Sequence, residues 1–212
     1  PAGSGSVTAT SGAFEQGDFA YFVTSATTVA VTGRASGNTD TVIVIPDTVA
    51  SNGTTYSVTS IGDQAFYFNS LASLTIGNNV TTIGENAFGF NALNSVTIPN
   101  SVTTIGDAAF NTNKLTSVTI GNSVATIGSR AFAYNILTSV TIPDSVTTIG
   151  GFAFFNNALT SVTIPDSVTD IGAQAFANNT TLTSVTFLGN FGTFELNMFE
   201  GNSNLTAITY VQ

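Results

Sequence analysis

Short apolar segments alternate with polar turn residues at a nearly constant spacing along most of the chain. The leucines that begin each unit recur at intervals of 22, 22, 22, 22, 23 and 23 residues, at Leu71, Leu93, Leu115, Leu137, Leu159, Leu182 and Leu205. Each unit opens with L-x-x-V-x-I, in which the two-residue period of a strand places Val and Ile on one face and Ser or Thr on the other. The pattern predicts a stack of equivalent coils that each begin with a short strand.

The rest of each unit predicts a turn, a second short apolar segment and a compact Ala-Phe element. Gly or Pro followed by Asn or Asp is typical turn chemistry, and Pro ends a strand because it donates no N–H. A single unit cannot bury its apolar side, so the stacked copies must share one continuous core. The phenylalanines of the Ala-Phe elements are predicted to form an internal ladder: Phe66, Phe88, Phe110, Phe132, Phe154, Phe176 and Phe199.

An asparagine stands three residues after each of these phenylalanines. The positions are Asn69, Asn91, Asn113, Asn135, Asn157, Asn179 and Asn202. An amide repeated at one position of a stacked coil is suited to bonding the backbone of the neighbouring coil. We therefore expect this column to have a structural role, and not to bind a ligand.

The composition excludes several classes of chemistry. Histidine and cysteine are absent, so the chain has no Ser-His-Asp or Cys-His catalysis, no disulfide and no zinc site of the usual N/S kind. Only Arg34, Lys114 and Arg130 are cationic, and the formal net charge is -9, so nucleic acid is excluded as a partner. Without a run of 18 apolar residues, no direct membrane insertion is expected. We expect no enzyme, cofactor or metal site.

The repeat unit as a whole, LTSVTIPDSVTTIG followed by Ala-Phe, resembles the BspA-like leucine-rich repeats of bacterial surface proteins. The resemblance extends from about Val42 to the C-terminus in seven copies. The chain departs from that family in carrying asparagine where cysteine is frequent, and in having mostly 22-residue units where the family has 23. The resemblance implies a secreted or cell-surface module that binds extracellular molecules.

The predicted fold is a β-rich solenoid, a right-handed leucine-rich-repeat superhelix of about seven coils of 22–23 residues with short parallel strands. Residues 1–12 lack the basic start and apolar core of a signal peptide and are predicted to be a linker or a remnant of cloning. Residues 13–45 are predicted to form an N-terminal β cap with a hairpin of strands at 19–23 and 28–33. Residues 46–212 are predicted to form the solenoid, with an inserted turn at 51–56 and a divergent last repeat at 182–212.

The outward positions of the opening strands form the first candidate ligand face, on the side predicted to be concave. Its candidate residues are Ser95, Thr97, Ser117, Thr119, Ser139, Thr141, Ser161 and Thr163. Three interpretations remain open for this uncharged array. Threonine simply suits an exposed strand position, or the face binds a protein or glycan as solenoids commonly do, or the regular hydroxyls match an ice lattice.

Aromatic residues form a second candidate binding surface, and acidic residues form a further column along the stack. The candidate aromatic edge comprises Tyr67, Phe90, Tyr134 and Phe155, which either bind a sugar or protein partner or pack over the core. The acidic residues Asp63, Glu85 and Asp107 follow the Ile-Gly pair in three consecutive coils. They are predicted to cap the short turns locally, in preference to holding calcium.

The sequence therefore predicts an extracellular, non-enzymatic binding or adhesion module, secreted or displayed at the cell surface. Its predicted partner is an extracellular protein or glycan, and the chain is expected to be monomeric or part of a larger multidomain protein. The alternative is a passive spacer within a larger surface protein, and ice binding is the less favoured third function.

Overall fold

The computed structural model describes residues 12–189 and 196–211. The first described element is an antiparallel sheet. Its strands are β1 (Ala13–Gln16), β2 (Phe19–Val23) and β3 (Thr28–Arg34). The pairing of β2 with β3 confirms the predicted hairpin, and β1 adds a third strand on the other side of β2. Residues 1–11 of the predicted linker lie outside the described part of the chain.

The next three strands join this cap to the solenoid: β4 (Val42–Val44), β5 (Thr48–Ser51) and β6 (Thr54–Ile61). β6 pairs in parallel with β3, so the sheet of the cap continues directly into the repeats. The insertion at 51–56 is more regular than the predicted turn, because β5 and β6 pair as an antiparallel hairpin. Asn52 and Gly53 at its tip have φ values of 49° and 78°, as a tight two-residue hairpin turn requires.

Short strands then alternate between two sides of the solenoid. They are β7 (Ser73–Thr75), β8 (Thr82–Ile83), β9 (Ser95–Thr97), β10 (Thr104–Ile105), β11 (Ser117–Thr119), β12 (Thr126–Ile127), β13 (Thr148–Ile149), β14 (Ser161–Ile164) and β15 (Asp170–Ile171). On the side of the second apolar segment, β6, β8, β10, β12, β13 and β15 form one parallel ladder without a break. We call this side the continuous ladder.

The C-terminal part of the solenoid consists of β16 (Ser184–Leu188), a 3₁₀ helix η1 (Leu196–Phe199) and β17 (Ala207–Val211), which is the opening strand of the next unit. β14, β16 and β17 pair in parallel. η1 takes the place of the Ala-Phe turn, because the backbone N of Phe176 donates to the carbonyl of Met198 at 2.9 Å. Part of the divergent repeat, residues 190–195, is outside the described range.

The opening strands do not form the single sheet that the repeat predicts. They pair as β4 with β7, β9 with β11, and β14 with β16 and β17, and residues 139–141 form no strand. In the described part of the chain, no backbone hydrogen bond joins residues 73–76 to 95–98, or 139–142 to either neighbouring coil. The coils remain connected at these places because the Ala-Phe turns of successive coils are hydrogen-bonded to one another. For example, the backbone N of Phe110 donates to the carbonyl of Ala131 at 2.8 Å.

The phenylalanine ladder is confirmed. Successive rings from Phe66 to Phe199 stack nearly parallel, with centroids 5.2–5.8 Å apart. The stack ends against rings turned edge-on, Phe19 of β2 at one end and Phe187 of β16 at the other. The strands of both ends therefore close the core as well as extend the ladders.

The asparagine column is also structural, as Asn135 illustrates. Its Oδ1 accepts a hydrogen bond from the N of Leu115 at 3.0 Å, and its Nδ2 donates to the carbonyls of Phe110 at 3.0 Å and Phe132 at 3.1 Å. Asn113, Asn157 and Asn179 repeat this arrangement. Each amide thus links two coils and satisfies backbone groups that would otherwise be buried without partners.

Candidate functional site

The hydroxyl face is the outward side of the opening strands, and its hydroxyls make no internal hydrogen bonds. All eight candidate residues, Ser95, Thr97, Ser117, Thr119, Ser139, Thr141, Ser161 and Thr163, are exposed. Within residues 12–189 and 196–211, none of these eight side chains bonds another protein group. Each hydroxyl is therefore available as both donor and acceptor.

Threonines beside the continuous ladder behave differently. The hydroxyls of Thr81, Thr103, Thr147 and Thr169 each donate to a carbonyl of the preceding coil, over 3.0–3.3 Å. Thr116, Thr160 and Thr183, which precede the hydroxyl face, bond neighbouring coils in the same way. Threonine is abundant all around this solenoid, and whether its hydroxyl bonds the backbone depends on its position within the repeat.

Two recesses lie where the ladder of opening strands is interrupted. The first, of about 300 Å³, lies between β7 and β9, and the second, of about 310 Å³, lies between residues 139–142 and β14. Ser73, Thr75, Ser95 and Thr97 line the first, and Ser139, Thr141, Ser161 and Thr163 line the second. The two recesses thus occupy the same position of the repeat, three coils apart.

The charges at these recesses are few. Asp144 lines the second recess, and none of the three cationic residues lines either one. Arg34 is engaged by Asn38 and Asn69, and Arg130 lies over the ring of Phe152 at 4.7 Å. The hydroxyl face is consequently suited to an uncharged, hydrogen-bonding ligand.

The acidic column stabilises the stack, though not in the predicted way. Oδ1 of Asp63 accepts from the backbone N of Glu85 at 2.8 Å, and Oδ1 of Asp107 accepts from the N of Ser129 at 2.7 Å. The predicted local capping is therefore wrong for Asp63 and Asp107, because their carboxylates bond the next coil instead of their own turn. The carboxylate of Glu85 accepts from the Nδ2 of Asn86 in its own turn at 3.2 Å. Within the described residues, no group of three or more acidic side chains is placed to hold a metal ion.

The aromatic edge separates into two clusters. Tyr67, Phe68 and Phe90 form the first, in which Phe68 stacks on Phe90 at 4.6 Å and both contact Tyr67. In the second cluster, Phe155 contacts Tyr134 at 5.4 Å and Phe152 at 5.5 Å, edge to face. Thr112 occupies the equivalent position between them, so the edge is not one uninterrupted stripe.

The sequence analysis does not identify two exposed features. Ile136 is a large apolar residue that is 52% exposed. The contact of Arg130 with Phe152 was also not predicted, even though both occupy the same position of successive units. An alignment of the units by position, with attention to apolar residues at turn positions, would identify both. Phe68, which the sequence places among the clustered loop aromatics, is 65% exposed.

The coils, the paired strands and the asparagine column together define a leucine-rich-repeat solenoid. The BspA type leucine-rich repeat region matches residues 48–137 and 126–212, and the chain belongs to this family. The match comprises six copies of the repeat, against about seven coils predicted.

Three solved structures similar to this chain are bacterial leucine-rich repeat proteins. A leucine-rich repeat protein of T. pallidum is 22% identical with a TM-score of 0.52, over 91% of this chain and 82% of that one. A leucine-rich cell surface protein of Faecalibacterium prausnitzii is 19% identical with a TM-score of 0.37, over 94% and 95%. A leucine-rich repeat protein of Bacteroides ovatus is 21% identical with a TM-score of 0.37, over 93% and 76%.

The curated proteins include no match to this chain. In the part of the chain that the structure describes, no helix has the length and apolar character needed to cross a membrane.

Proposed function

We propose that this chain is an extracellular, non-enzymatic binding module that recognises a protein or glycan through the hydroxyl face. The observation that carries the proposal is the difference between two sets of threonines. Those beside the continuous ladder donate to the backbone, whereas the eight candidate residues have no internal partner in the described structure. Six of the eight also line the two recesses, whereas the equally unbonded Thr82, Thr104, Thr126 and Thr148 lie in the strands of the unbroken continuous ladder.

The interrupted ladder adds further binding groups to this face. In each recess the backbone N–H and C=O groups at the junction lack the strand partners they would have in a complete sheet. Exposed backbone groups beside free hydroxyls supply donors and acceptors in both directions, as recognition of a polar, uncharged ligand requires. A ligand that reaches both recesses gains from having two contacts on one rigid support.

Two other functions make different predictions. A passive spacer needs only the stack and leaves the free hydroxyls without a role. Ice binding needs a regular array, and the opening strands are interrupted on both sides of residues 139–141. These interruptions favour discrete binding positions over a lattice match.

The proposed location is the outside of the cell, either secreted or displayed at the surface. The family supports this location, since BspA-type repeats are typical of bacterial surface proteins. The net charge of -9 and the three cations make nucleic acid and other polyanions unsuitable partners.

The test is a binding array of glycans and extracellular-matrix proteins, probed with three versions of the chain. In the variant Thr119→Lys/Thr141→Lys, two long charged side chains cover the hydroxyl face. In the matched control Thr103→Lys/Thr147→Lys, the same change is made beside the continuous ladder. The proposal predicts a signal from wild type and control that the first variant loses.

Other patterns on the array decide between the alternatives. A signal lost equally in both variants, or kept by both, contradicts binding through the hydroxyl face. Silence from all three versions favours the spacer, and the absence or presence of thermal hysteresis then decides on ice binding.

A further inference from the structure

A third recess lies away from the hydroxyl face, beside the second aromatic cluster. It has a volume of about 320 Å³ and is lined by Phe155, Gln174, Ala177, Asn178, Glu200 and Gly201. These residues come from three successive coils, at the ends of the Ala-Phe elements: Gln174 precedes its element, and the other five residues follow theirs. We call this site the aromatic recess.

The recess exists because Phe155 lacks the aromatic contact from the next coil that Tyr67 has at the equivalent position of the repeat. Tyr67 is contacted by Phe90 of the next coil at 5.4 Å and by Phe68 of its own turn at 4.9 Å. The position equivalent to Phe90 in the coil after Phe155 is occupied by Asn178. A polar residue there, in place of an aromatic one, leaves one side of the Phe155 ring facing an open space.

The other walls of the aromatic recess carry polar groups with unused bonding capacity. Nε2 of Gln174 donates to Oε2 of Glu200 at 2.6 Å, which fixes both side chains and leaves Oε1 of each as a free acceptor among the described residues. The side-chain amide of Asn178 has no partner there either. Asn178 is nevertheless held in place, because its backbone N donates to the carbonyl of Glu200 at 2.8 Å.

This combination of groups specifies a chemical class of ligand. An aromatic face favours a ligand with an apolar surface, and the adjacent carboxylate and amides favour hydroxyl groups around its edge. A pyranose ring has both features, with C–H groups on its face and hydroxyls on its rim. No cationic residue lines the recess and Glu200 is acidic, so an anionic sugar is disfavoured.

We propose that the aromatic recess binds one neutral pyranose residue of a glycan, with the ring stacked on Phe155 and its hydroxyls bonded to Gln174, Asn178 and Glu200. This site is separate from the hydroxyl face and does not depend on binding there. It gives the solenoid a second contact for glycans on a different surface.

The test uses the ¹⁵N-labelled full chain and three probes, cellohexaose, maltohexaose and hexagalacturonic acid, at concentrations up to about 10 mM. This range covers the roughly millimolar dissociation constant expected for one open recess. At least one neutral probe is expected to shift the amide resonances of Gln174, Ala177 and Asn178, and the anionic probe to leave them unchanged. Phe155→Leu keeps an apolar side chain without the aromatic face and is expected to weaken binding roughly three- to tenfold.

Glu200→Gln is the second variant, because it preserves the size of the side chain and removes its charge. Weaker binding of the neutral probe is expected, since a neutral amide is a poorer acceptor than a carboxylate. Thr119→Lys/Thr141→Lys is the control that separates this site from the hydroxyl face, and it is expected to bind as wild type does.

Three results overturn the proposal. They are the absence of any shift at the aromatic recess with both neutral probes, shifts confined to the hydroxyl face, and binding unaffected by both Phe155→Leu and Glu200→Gln. If the lysine variant loses its array signal but keeps these shifts, both proposals stand. If it keeps both signals, the function proposed for the hydroxyl face fails and the aromatic recess remains.

Discussion

The guanidinium of Arg34 takes over the hydrogen bonds of a missing coil at Asn69. Its Nη2 donates to the backbone carbonyl of Asn69 at 3.1 Å, and its Nε donates to the Oδ1 of the same residue. Inside the stack, that Oδ1 position accepts from the backbone N of a leucine one coil earlier, as Asn135 does from Leu115. Arg34 of the cap therefore completes the asparagine column where no preceding repeat supplies a donor.

Replacing Arg34 by methionine is expected to lower the free energy of unfolding by about 2 kcal/mol. The substitution retains much of the apolar stem but removes charge-assisted bonds to Asn69 and Asn38, and bonds of this kind contribute about 1.5–3 kcal/mol. Urea unfolding measures the change. Arg130→Met is the matched control, with an expected loss below about 1 kcal/mol, because Arg130 is exposed and lies over Phe152. Equal losses of unfolding free energy in the two variants would show that Arg34 does not specifically complete the asparagine column.

The second prediction concerns the buried amide of Asn135. Asn135→Ala leaves the N of Leu115 without a partner, and a buried group left unpaired costs about 1–3 kcal/mol. The carbonyls of Phe110 and Phe132 each lose one of two donors and keep the Nδ2 of Asn113 and of Asn157. We expect a total loss of about 2 kcal/mol in urea unfolding. The exposed Asn94, changed to alanine, is expected to alter stability by less than about 0.5 kcal/mol. A loss at Asn135 no larger than that at Asn94 would refute the structural role of the column.

Two adjacent glycines give a third, sharper comparison. A Cβ on Gly150 would lie 2.4 Å from the backbone N of Ser129 in the preceding coil, so Gly150→Ala forces the coils apart. Overpacking of this kind costs about 1–3 kcal/mol. A Cβ on Gly151 would approach the carbonyl of Ala173 no closer than 3.2 Å, and the expected change for Gly151→Ala is within about 1 kcal/mol. Thermal unfolding of both variants measures the difference, and the reverse order would contradict the close approach of the coils.

The fourth prediction is a pH dependence that arises in the cap. Burial raises the pKa of Tyr21 to about 12, and the carboxylate of Asp18 adds to the shift. The ordinary tyrosine pKa is about 10, so the unfolded chain releases this proton more readily than the folded one. The contribution to stability is complete below about pH 10 and is lost as the pH rises towards 12. Tyr21→Phe should show a smaller loss of unfolding free energy over this range, and parallel curves for the two proteins would contradict the assignment.

The sequence predicts the interior of this molecule well because the interior is repeated. Phe110 and Asn135 each recur at a fixed position of every unit, and a residue repeated in a stack meets its own copies. Those contacts depend on the period alone, so the ring stack and the amide column follow from the spacing of the leucines. For the same reason, the structural role of the asparagines can be predicted without an alignment with other proteins.

Features that depend on the distance between coils cannot be predicted from the sequence of one repeat unit. Residues 139–141 have the same sequence, Ser-Val-Thr, as the strand β11 (Ser117–Thr119), yet only β11 pairs with a neighbour. Local preference is identical at the two sites, so the difference arises from the spacing that the other sides of the solenoid impose. The recesses of the hydroxyl face follow from that spacing and could not be predicted from the repeat.

The contacts of the cap and the backbone angles of the turns could not be predicted from the sequence for other reasons. Arg34 belongs to a non-repeating segment, so nothing in the periodicity pairs it with Asn69. Each of the six coils between Gln64 and Asn178 also contains at least two non-glycine residues with left-handed backbone angles, such as Ala108 and Thr112 with φ of 52° and 53°. Such angles are unfavourable for ordinary residues and arise here because inter-coil hydrogen bonds fix the turns.

Removal of the hydroxyls in the two recesses tests whether the hydroxyl face binds the ligand. The measurement is the dissociation constant of the tightest ligand from the binding array for Thr97→Val/Thr163→Val, which removes one free hydroxyl from each recess. The matched control, Thr103→Val/Thr169→Val, removes two equally exposed hydroxyls that donate to the backbone. Binding is expected to weaken about tenfold in the first variant, which corresponds to about 1.4 kcal/mol, and to be unchanged in the second. Equal affinities for both variants and the wild type would contradict recognition through the hydroxyl face.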